Sequence, residues 1–305
     1  DMPLPLQILN ASQIDKAKWD ERVNSAENGL IYSTAAYLDH ICEHWVGIIA
    51  GDYEGVMALS WRRKFGIRYL YQPAFVQQLG WIGNNDIDAA ELVSRVYAFS
   101  SYGDLLLNFR NDTLAALLQA DRRLNYILDL EPGYNSIEQL YSSDLRANLR
   151  KAAGLDLEYA DGGNSGAAIA VFREFYGHRM PHVSASDYEK FAGLCRVLSH
   201  RDQCLTRKVV NQAGELLAIA LFLKDRHRIY NLMNTTTPAG RAAEANHFLL
   251  DNVIREFAGT KLIFDFEGSD IPGVQRFYKS FGPVEQPYFI AHYNRLPKLI
   301  RLLKR

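Results

Sequence analysis

At 305 residues with 48% hydrophobic content, the chain can bury a sizeable core. It exceeds what one core usually spans, so two domains are expected. A net charge of −1 excludes a global attraction to nucleic acid or to an acidic membrane surface. No apolar stretch approaches the length of a bilayer span. Cys42, Cys195 and Cys204 lie far apart without C-x-x-C spacing, which predicts reduced, buried thiols in a cytoplasmic protein. The opening DMPLPLQILNAS has no basic segment before an apolar run, so no signal peptide is expected, and Asp1 before Met2 reads as an expression remnant.

Short helices are expected over residues 19–23 and 35–44. A hairpin follows: residues 55–61, a basic turn Arg62-Arg63-Lys64, then 67–71. Residues 72–83 read as an irregular loop. A helix over 86–101 carries Ala89, Leu92, Val93, Val96 and Tyr97 at helical spacing. Gly103 ends it, and 104–109 is a strand.

In the middle of the chain, Ser136-Ile-Glu-Gln139 has the form of a capping box opening a helix to about residue 153. Its apolar stripe is Ile137, Leu140, Tyr141, Leu145, Leu149 and Ala152. Arg146 and Arg150 stack four apart with Lys151 beside them. Like charges at that spacing cost a few tenths of a kcal/mol, a strain relieved if an anion docks there; the alternative is a solvated basic face. Asp161-Gly-Gly-Asn-Ser-Gly166 reads as a linker. Helices over 167–178 and 186–199 follow. His178 and His182 lack a third ligand at metal spacing, so no metal is expected.

The order of the first half then recurs. Residues 215–223, a polar turn at 224–227 and residues 228–234 make a second hairpin. After a loop over 235–240 come a mostly apolar helix over 242–258, Gly259, and a strand over 261–267. Hairpin, helix and strand repeat at an offset of about 160 residues, which predicts two tandem α/β units.

In KLIFDFEGSDIPGVQRFYKSFG, residues 261–282, the strand alternates Leu262, Phe264 and Phe266 against Ile263, Asp265 and Glu267. Two carboxylates thus leave one side where the strand ends, the place ligands occupy in open α/β sheets. Paired carboxylates in a cleft push one pKa up, making both candidate general bases. Alternatively they form a structural pair holding Arg276 or Lys279. A helix resumes after Pro272 and stops at Gly282.

The pattern Asp265-Phe-Glu-Gly-Ser269, then Pro272-Gly273-x-x-x-Phe277-Tyr-Lys-Ser-Phe-Gly282, resembles the C-terminal motif of the GNAT (Gcn5-related N-acetyltransferase) superfamily. Together with Ser143-Asp-Leu-Arg-Ala-Asn-Leu-Arg-Lys-Ala152, it is most similar to the FemAB-like and CelD-like (Acetyltransf_6-type) branch. The likeness is recognisable over residues 142–153 and 235–289. It implies an α/β (α+β) fold of two tandem GNAT-like units with mixed central sheets flanked by helices. The units expected are 1–135 and 166–290, joined by a helix and linker over 136–165. Residues 291–305, ending in the amphipathic LPKLIRLLKR, would dock back on the first unit as a helix.

The resemblance also implies chemistry. The donor would be acetyl-CoA or another acyl-CoA as co-substrate, with no metal. The pyrophosphate loop would be Pro238-Ala-Gly-Arg-Ala-Ala-Glu-Ala245, with Arg241 and Ala245 matching the motif and Glu244 replacing its middle glycine. Asn234, Thr235, Thr236, Arg241, Ala242, Ala243 and Lys279 would hold coenzyme A. Asp265 or Glu267 would take the amine proton, and Tyr278 would act as acid for the thiolate. Arg146, Arg150, Asn246 and His247 would contact the acceptor. Each has a plainer alternative: Arg241 paired with Glu244, His247 in the core, Tyr278 as helix packing, and Lys279 solvated. The function implied is acyl transfer to an amine of a small-molecule or peptidoglycan-precursor-like acceptor. An aminoacyl-tRNA-dependent transferase of FemAB type and a non-catalytic binding module are the alternatives.

Overall fold

The computed structural model describes residues 4–83, 87–268 and 271–297. The chain divides into two compact units, residues 1–123 with 287–305, and residues 124–286. The first unit holds β1 (Leu6–Asn10), α1 (Lys16–Ser25), α2 (Ala35–Ile41), β2 (His44–Ala50), β3 (Gly55–Lys64), β4 (Ile67–Leu70), β5 (Gly80–Gly83), α3 (Ala89–Phe99), β6 (Tyr102–Leu107), α4 (Asp112–Leu118) and β7 (Asp121–Arg123). The second holds β8 (Tyr126–Asp129), α5 (Tyr134–Glu138), α6 (Ser143–Ala153), β9 (Glu158–Asp161), α7 (Ser165–Tyr176), α8 (Ala185–Ser199), β10 (Cys204–Val210), β11 (Leu216–Lys224), β12 (Arg228–Thr236), α9 (Pro238–Ala242), α10 (Ala245–Phe257), β13 (Ile263–Asp265), α11 (Pro272–Lys279) and β14 (Val284–Glu285). The chain then returns to the first unit's sheet as β15 (Tyr288–Asn294).

The sheets run β1-β2-β3-β4-β6-β15-β7, with β5 also on β3, and β14-β8-β13-β12-β11-β10-β9. Every described pairing is antiparallel except β4 with β6 and β12 with β13. In each unit a hairpin leads through a helix into the parallel strand: β3-β4, α3, β6, and β11-β12, α10, β13. The offset of about 160 residues therefore marks a structural repeat.

β11 is buried along both faces. Ala218, Ala220 and Phe222 join Leu249, Leu250, Val253 and Ile254 of α10 in one core, and α7 packs on β11 and β12 as well. Such a strand shows no alternation in sequence. The same holds for β2, buried from Trp45 to Ala50, which the sequence does not announce.

Several boundaries move. The helix expected over 136–153 is broken: α6 is capped by Ser142, whose Oγ accepts the Leu145 N–H at 3.1 Å. Ser136 therefore lies inside short α5 and caps nothing, and Leu140, expected in the core, is 55% exposed between the helices. Arg62, Arg63 and Lys64 belong to β3, and the turn is Phe65-Gly66, both at positive φ. Residues 288–294 are a strand, so the terminal segment expected as helix from 291 starts extended. Its later part, 298–305, lies outside the described residues, as do Ser269 and Asp270. Cys42 and Cys195 are buried thiols and Cys204 is half-buried.

Candidate active site

β12 and β13 meet in parallel at three positions, Arg228 opposite Ile263, Ile229 opposite Phe264, and Tyr230 opposite Asp265. β13 ends there. β12 runs on to Thr236 with β11 along its other edge. What ends β13 is local: Glu267 and Gly268 take positive φ, and the Phe266 N–H turns to Tyr126 O at 3.0 Å. The two strands therefore part beyond Tyr230.

The first unit closes the corresponding place. β4 stops at Leu70, and β5 takes over the rest of the β3 edge. A Cβ on Gly80 would meet Asn111, Asn108 and Leu107 at about 3 Å or less, so β5 lies hard against the end of β6. Trp81 O accepts Nδ2 of Asn108 at 2.9 Å and of Asn111 at 3.0 Å, and Gln78 Oε1 accepts the Phe109 N–H at 3.1 Å. Among the described residues, the open gap belongs to the second unit.

A cavity of about 600 Å³ lies at the far end of β12. Asn234 and Thr236 of β12 form one side with Gly240, Arg241, Glu244, Asn246 and His247 from the α9–α10 junction. Gly273, Val274, Phe277 and Tyr278 of α11 form another. Phe172 and Tyr176 of α7, with Arg179 and Met180 just after it, complete the wall.

The α9–α10 junction is built tightly. Thr237 Oγ1 caps α9 by accepting the Gly240 N–H at 3.0 Å. A Cβ on Gly240 would sit 1.9 Å from Leu217 O. Gly240→Ala is therefore expected to destabilise the second unit by about 1–3 kcal/mol, read as a lower denaturant midpoint. The Ala243 N–H goes to Ala239 O and the Glu244 N–H to Arg241 O, so neither is open to a ligand. Ala242 and Ala243, expected to hold coenzyme A, do not line the cavity. The N–H groups left over are those opening α10, since the first turn of a helix has no internal acceptors.

Arg241 does not pair with Glu244; its Nη1 donates to Thr236 O at 3.0 Å. Glu244, at φ 57°, instead binds Lys151 Nζ at 2.9 Å and His247 Nδ1 at 3.1 Å. Asn148 Nδ2 approaches His247 Nε2 at 3.3 Å. An amide N–H₂ there makes Nε2 the acceptor, which places the ring proton on Nδ1, directed at Glu244. Burial lowers the His247 pKa, so the ring is neutral at pH 7.

The two carboxylates separate completely. Asp265, 1% exposed, binds Arg228 Nη1 at 2.8 Å, Asn125 Nδ2 at 3.0 Å and the Glu267 N–H at 2.9 Å. This is the structural alternative, with Arg228 as the cation in place of Arg276 or Lys279. So enclosed, the Asp265 carboxylate is taken up by structural partners. Glu267 has left the strand. Its Oε1 is shut from solvent and has no hydrogen-bond partner among the described residues, and burial pushes its carboxyl up to about 8. Tyr278 lines the cavity. Burial, then the nearby Glu267 and Tyr176, raises its phenol well above the ordinary value.

Of the expected site residues, Asn234, Thr236, Arg241, Asn246, His247 and Tyr278 come together around the cavity. Asn234 Oδ1 and Asn246 Oδ1 are buried there without partners among the described residues, and Thr235 Oγ1 is likewise orphaned one residue along β12. Lys279 is elsewhere, 3.6 Å from Glu285 and over the Tyr126 ring. Arg146 and Arg150 line a separate groove of about 360 Å³ with Phe248, Asp251 and Arg255. Arg146 there caps α5 by donating to Glu138 O and Gln139 O. Sequence reasoning missed Phe172 and Tyr176, whose four-residue spacing marks one face of α7, and Met180 in the segment that follows it. Among the described residues no three His, Cys, Asp or Glu side chains gather as a metal site, and no helix is long and apolar enough to cross a membrane.

Residues 141–280 match the family model described as Acetyltransferase (GNAT) domain. No curated protein matches the chain in sequence. Among solved structures the fold is similar to the crystal structure of FemX, at 13% identity and TM-score 0.69, covering 98% of this chain and 100% of that one. It is also similar to the C-terminal domain of a putative lysylphosphatidylglycerol synthetase from Agrobacterium fabrum, at 12% identity and TM-score 0.57, covering 95% and 94%. A GCN5-related N-acetyltransferase from Sphaerobacter thermophilus aligns at 11% identity and TM-score 0.52, covering 96% and 98%. Residues 141–280 therefore match the acetyltransferase (GNAT) domain model, and the chain as a whole shares its two-unit fold with FemX.

Proposed function

We propose that the second unit transfers an acyl group from an acyl-CoA thioester to an amine in the gap between β12 and β13. The observation that carries this is the parting of those strands beside a 600 Å³ cavity with buried, unpartnered amide oxygens on Asn234 and Asn246. Buried polar atoms of that kind are satisfied by a ligand or by water. Paired with the thioester arm, they would accept hydrogen bonds from its amide N–H groups.

In the reaction the amine nitrogen bonds to the thioester carbon and the carbon–sulfur bond breaks. Glu267, behind the cavity lining rather than on it, takes the amine proton through a water that reaches its unpartnered Oε1 only when the donor opens the gap. A pKa near 8 suits a base working near neutral pH. Tyr278, with its pKa raised, keeps its proton and serves as a hydrogen-bond donor to the departing sulfur rather than as an acid. His247, neutral and turned toward Glu244, faces the acceptor side as a hydrogen-bonding residue.

The residues fit the thioester end of the donor better than its pyrophosphate. Arg241 and Arg179 bring positive charge to the cavity, but Glu244 opens α10 with a carboxylate where the phosphates would meet free N–H groups. That feature favours a second reading, an aminoacyl-tRNA donor, whose ester carries no pyrophosphate. Glu244→Gly removes the charge, frees Lys151 and relieves a positive φ. It is expected to tighten coenzyme A binding about tenfold or more, the equivalent of about 1.4 kcal/mol.

Calorimetric titration with acetyl-CoA, longer acyl-CoAs and charged tRNA decides between them. Heat with a thioester, competed by free coenzyme A, is expected. Heat with charged tRNA alone would favour the second reading, and none with either would leave a non-catalytic module.

A further inference from the structure

We infer that the apolar wall of this cavity is an acyl-chain pocket, and that the donor carries a medium or long hydrocarbon chain rather than acetyl. The inference rests on the acyl-CoA reading and specifies its substrate. The polar lining comes from β12 and the α9–α10 junction. The apolar lining comes from Phe172, Tyr176 and Met180 together with Ile271, Val274 and Phe277. Phe172 and Tyr176 pack edge to face at 5.6 Å, so the two rings hold each other in place. Ile271 continues it to the rim, where it is 58% exposed. An acetyl group presents one methyl to this surface and would leave most of it wet.

The glycine in the wall strengthens the point. A Cβ on Gly273 meets nothing within 4 Å, and its φ lies outside the left-handed region, so neither packing nor backbone demands a glycine there. In the second position of a helix, glycine is also the poorer helix former. Being exposed, it leaves the mouth of the cavity open at that point. The acyl chain, rather than an apolar acceptor, is the occupant because the wall begins at Phe277-Tyr278. Tyr278 is the residue placed at the thioester sulfur, so the group on the thioester carbon reaches the wall first.

The test is calorimetric binding of coenzyme A, acetyl-CoA, hexanoyl-CoA and decanoyl-CoA to the full chain, without acceptor. Each buried methylene is worth about 0.8 kcal/mol, or about fourfold in affinity, until the chain fills the pocket. Decanoyl-CoA is therefore expected to bind at least a hundredfold more tightly than acetyl-CoA. Gly273→Leu, which adds a bulky side chain to the cavity lining, is expected to cut that ratio at least tenfold without lowering the thermal midpoint. Equal binding of acetyl-CoA and decanoyl-CoA overturns this inference and leaves the acyl-CoA reading standing. Failure of coenzyme A and every thioester to bind overturns both.

Discussion

Arg228→Ala is expected to remove about 3–5 kcal/mol from the stability of the second unit, the usual result of stranding one buried charge. Arg228 and Asp265 are 2% and 1% exposed. The guanidinium holds Asp265 through Nη1 and Gln286 Oε1 through Nη2, at 2.8 and 2.7 Å. It thereby fastens the start of β12 to the end of β13 and to the segment after β14. Without it, Asp265 keeps Asn125 and the Glu267 N–H among the described residues. The measurement is the denaturant midpoint. Replacing both partners with apolar residues, Arg228→Met with Asp265→Leu, should recover a large part of the loss, because no lone charge remains. If Arg228→Ala unfolds at the wild-type midpoint, the ion pair does not hold the strands together below their point of parting.

Glu267→Gln is expected to lower turnover by about a hundredfold to ten-thousandfold, the ordinary contribution of a general base, while leaving the fold intact. Wild-type turnover should rise with pH through a limb near 8, where the buried carboxyl ionises, and the variant should lack that limb. Stability supplies a second signature with the opposite direction. The folded pKa lies above the unfolded value of about 4.5, so the folded state binds the extra proton. The stability tied to that proton is complete below about pH 4.5 and is lost as pH rises to about 8. Glu267→Gln should therefore flatten the pH dependence of stability between those values and gain up to about 4 kcal/mol above them. Asp265→Asn should do the reverse, costing stability because it unbalances Arg228.

The contrast between these two carboxylates shows how far the sequence could be read. The alternation in residues 262–267 puts Asp265 and Glu267 on one side of a strand, and Asp265 does end β13. Glu267 escapes the alternation because the chain turns at positive φ there and at Gly268. Sequence proximity offers Arg276 and Lys279 as the cation for Asp265. The cation comes from Arg228 in the preceding hairpin, two positions away in the parallel register, and that register is invisible until the strands are aligned. The stop of α11 was legible because Gly282 takes φ 72° against Leu140, which only glycine does without strain. Arg146 and Arg150 were placed correctly on α6, but where a helix docks is set by tertiary packing, and that packing turns them to a separate groove. The aromatic face of α7 was overlooked because such a stripe more often marks core. The tandem order survived because it depends on element sequence and spacing alone.

The central claim is that an acyl donor enters between β12 and β13 in the second unit. Backbone hydrogen exchange with and without saturating decanoyl-CoA tests it most directly. The amides of residues 231–236 and 245–247 should become protected, with the first unit's β5 and its Asn108–Asn111 seal unchanged. Protection confined to the first unit, or none along β12 under conditions where the thioester is bound, would contradict it.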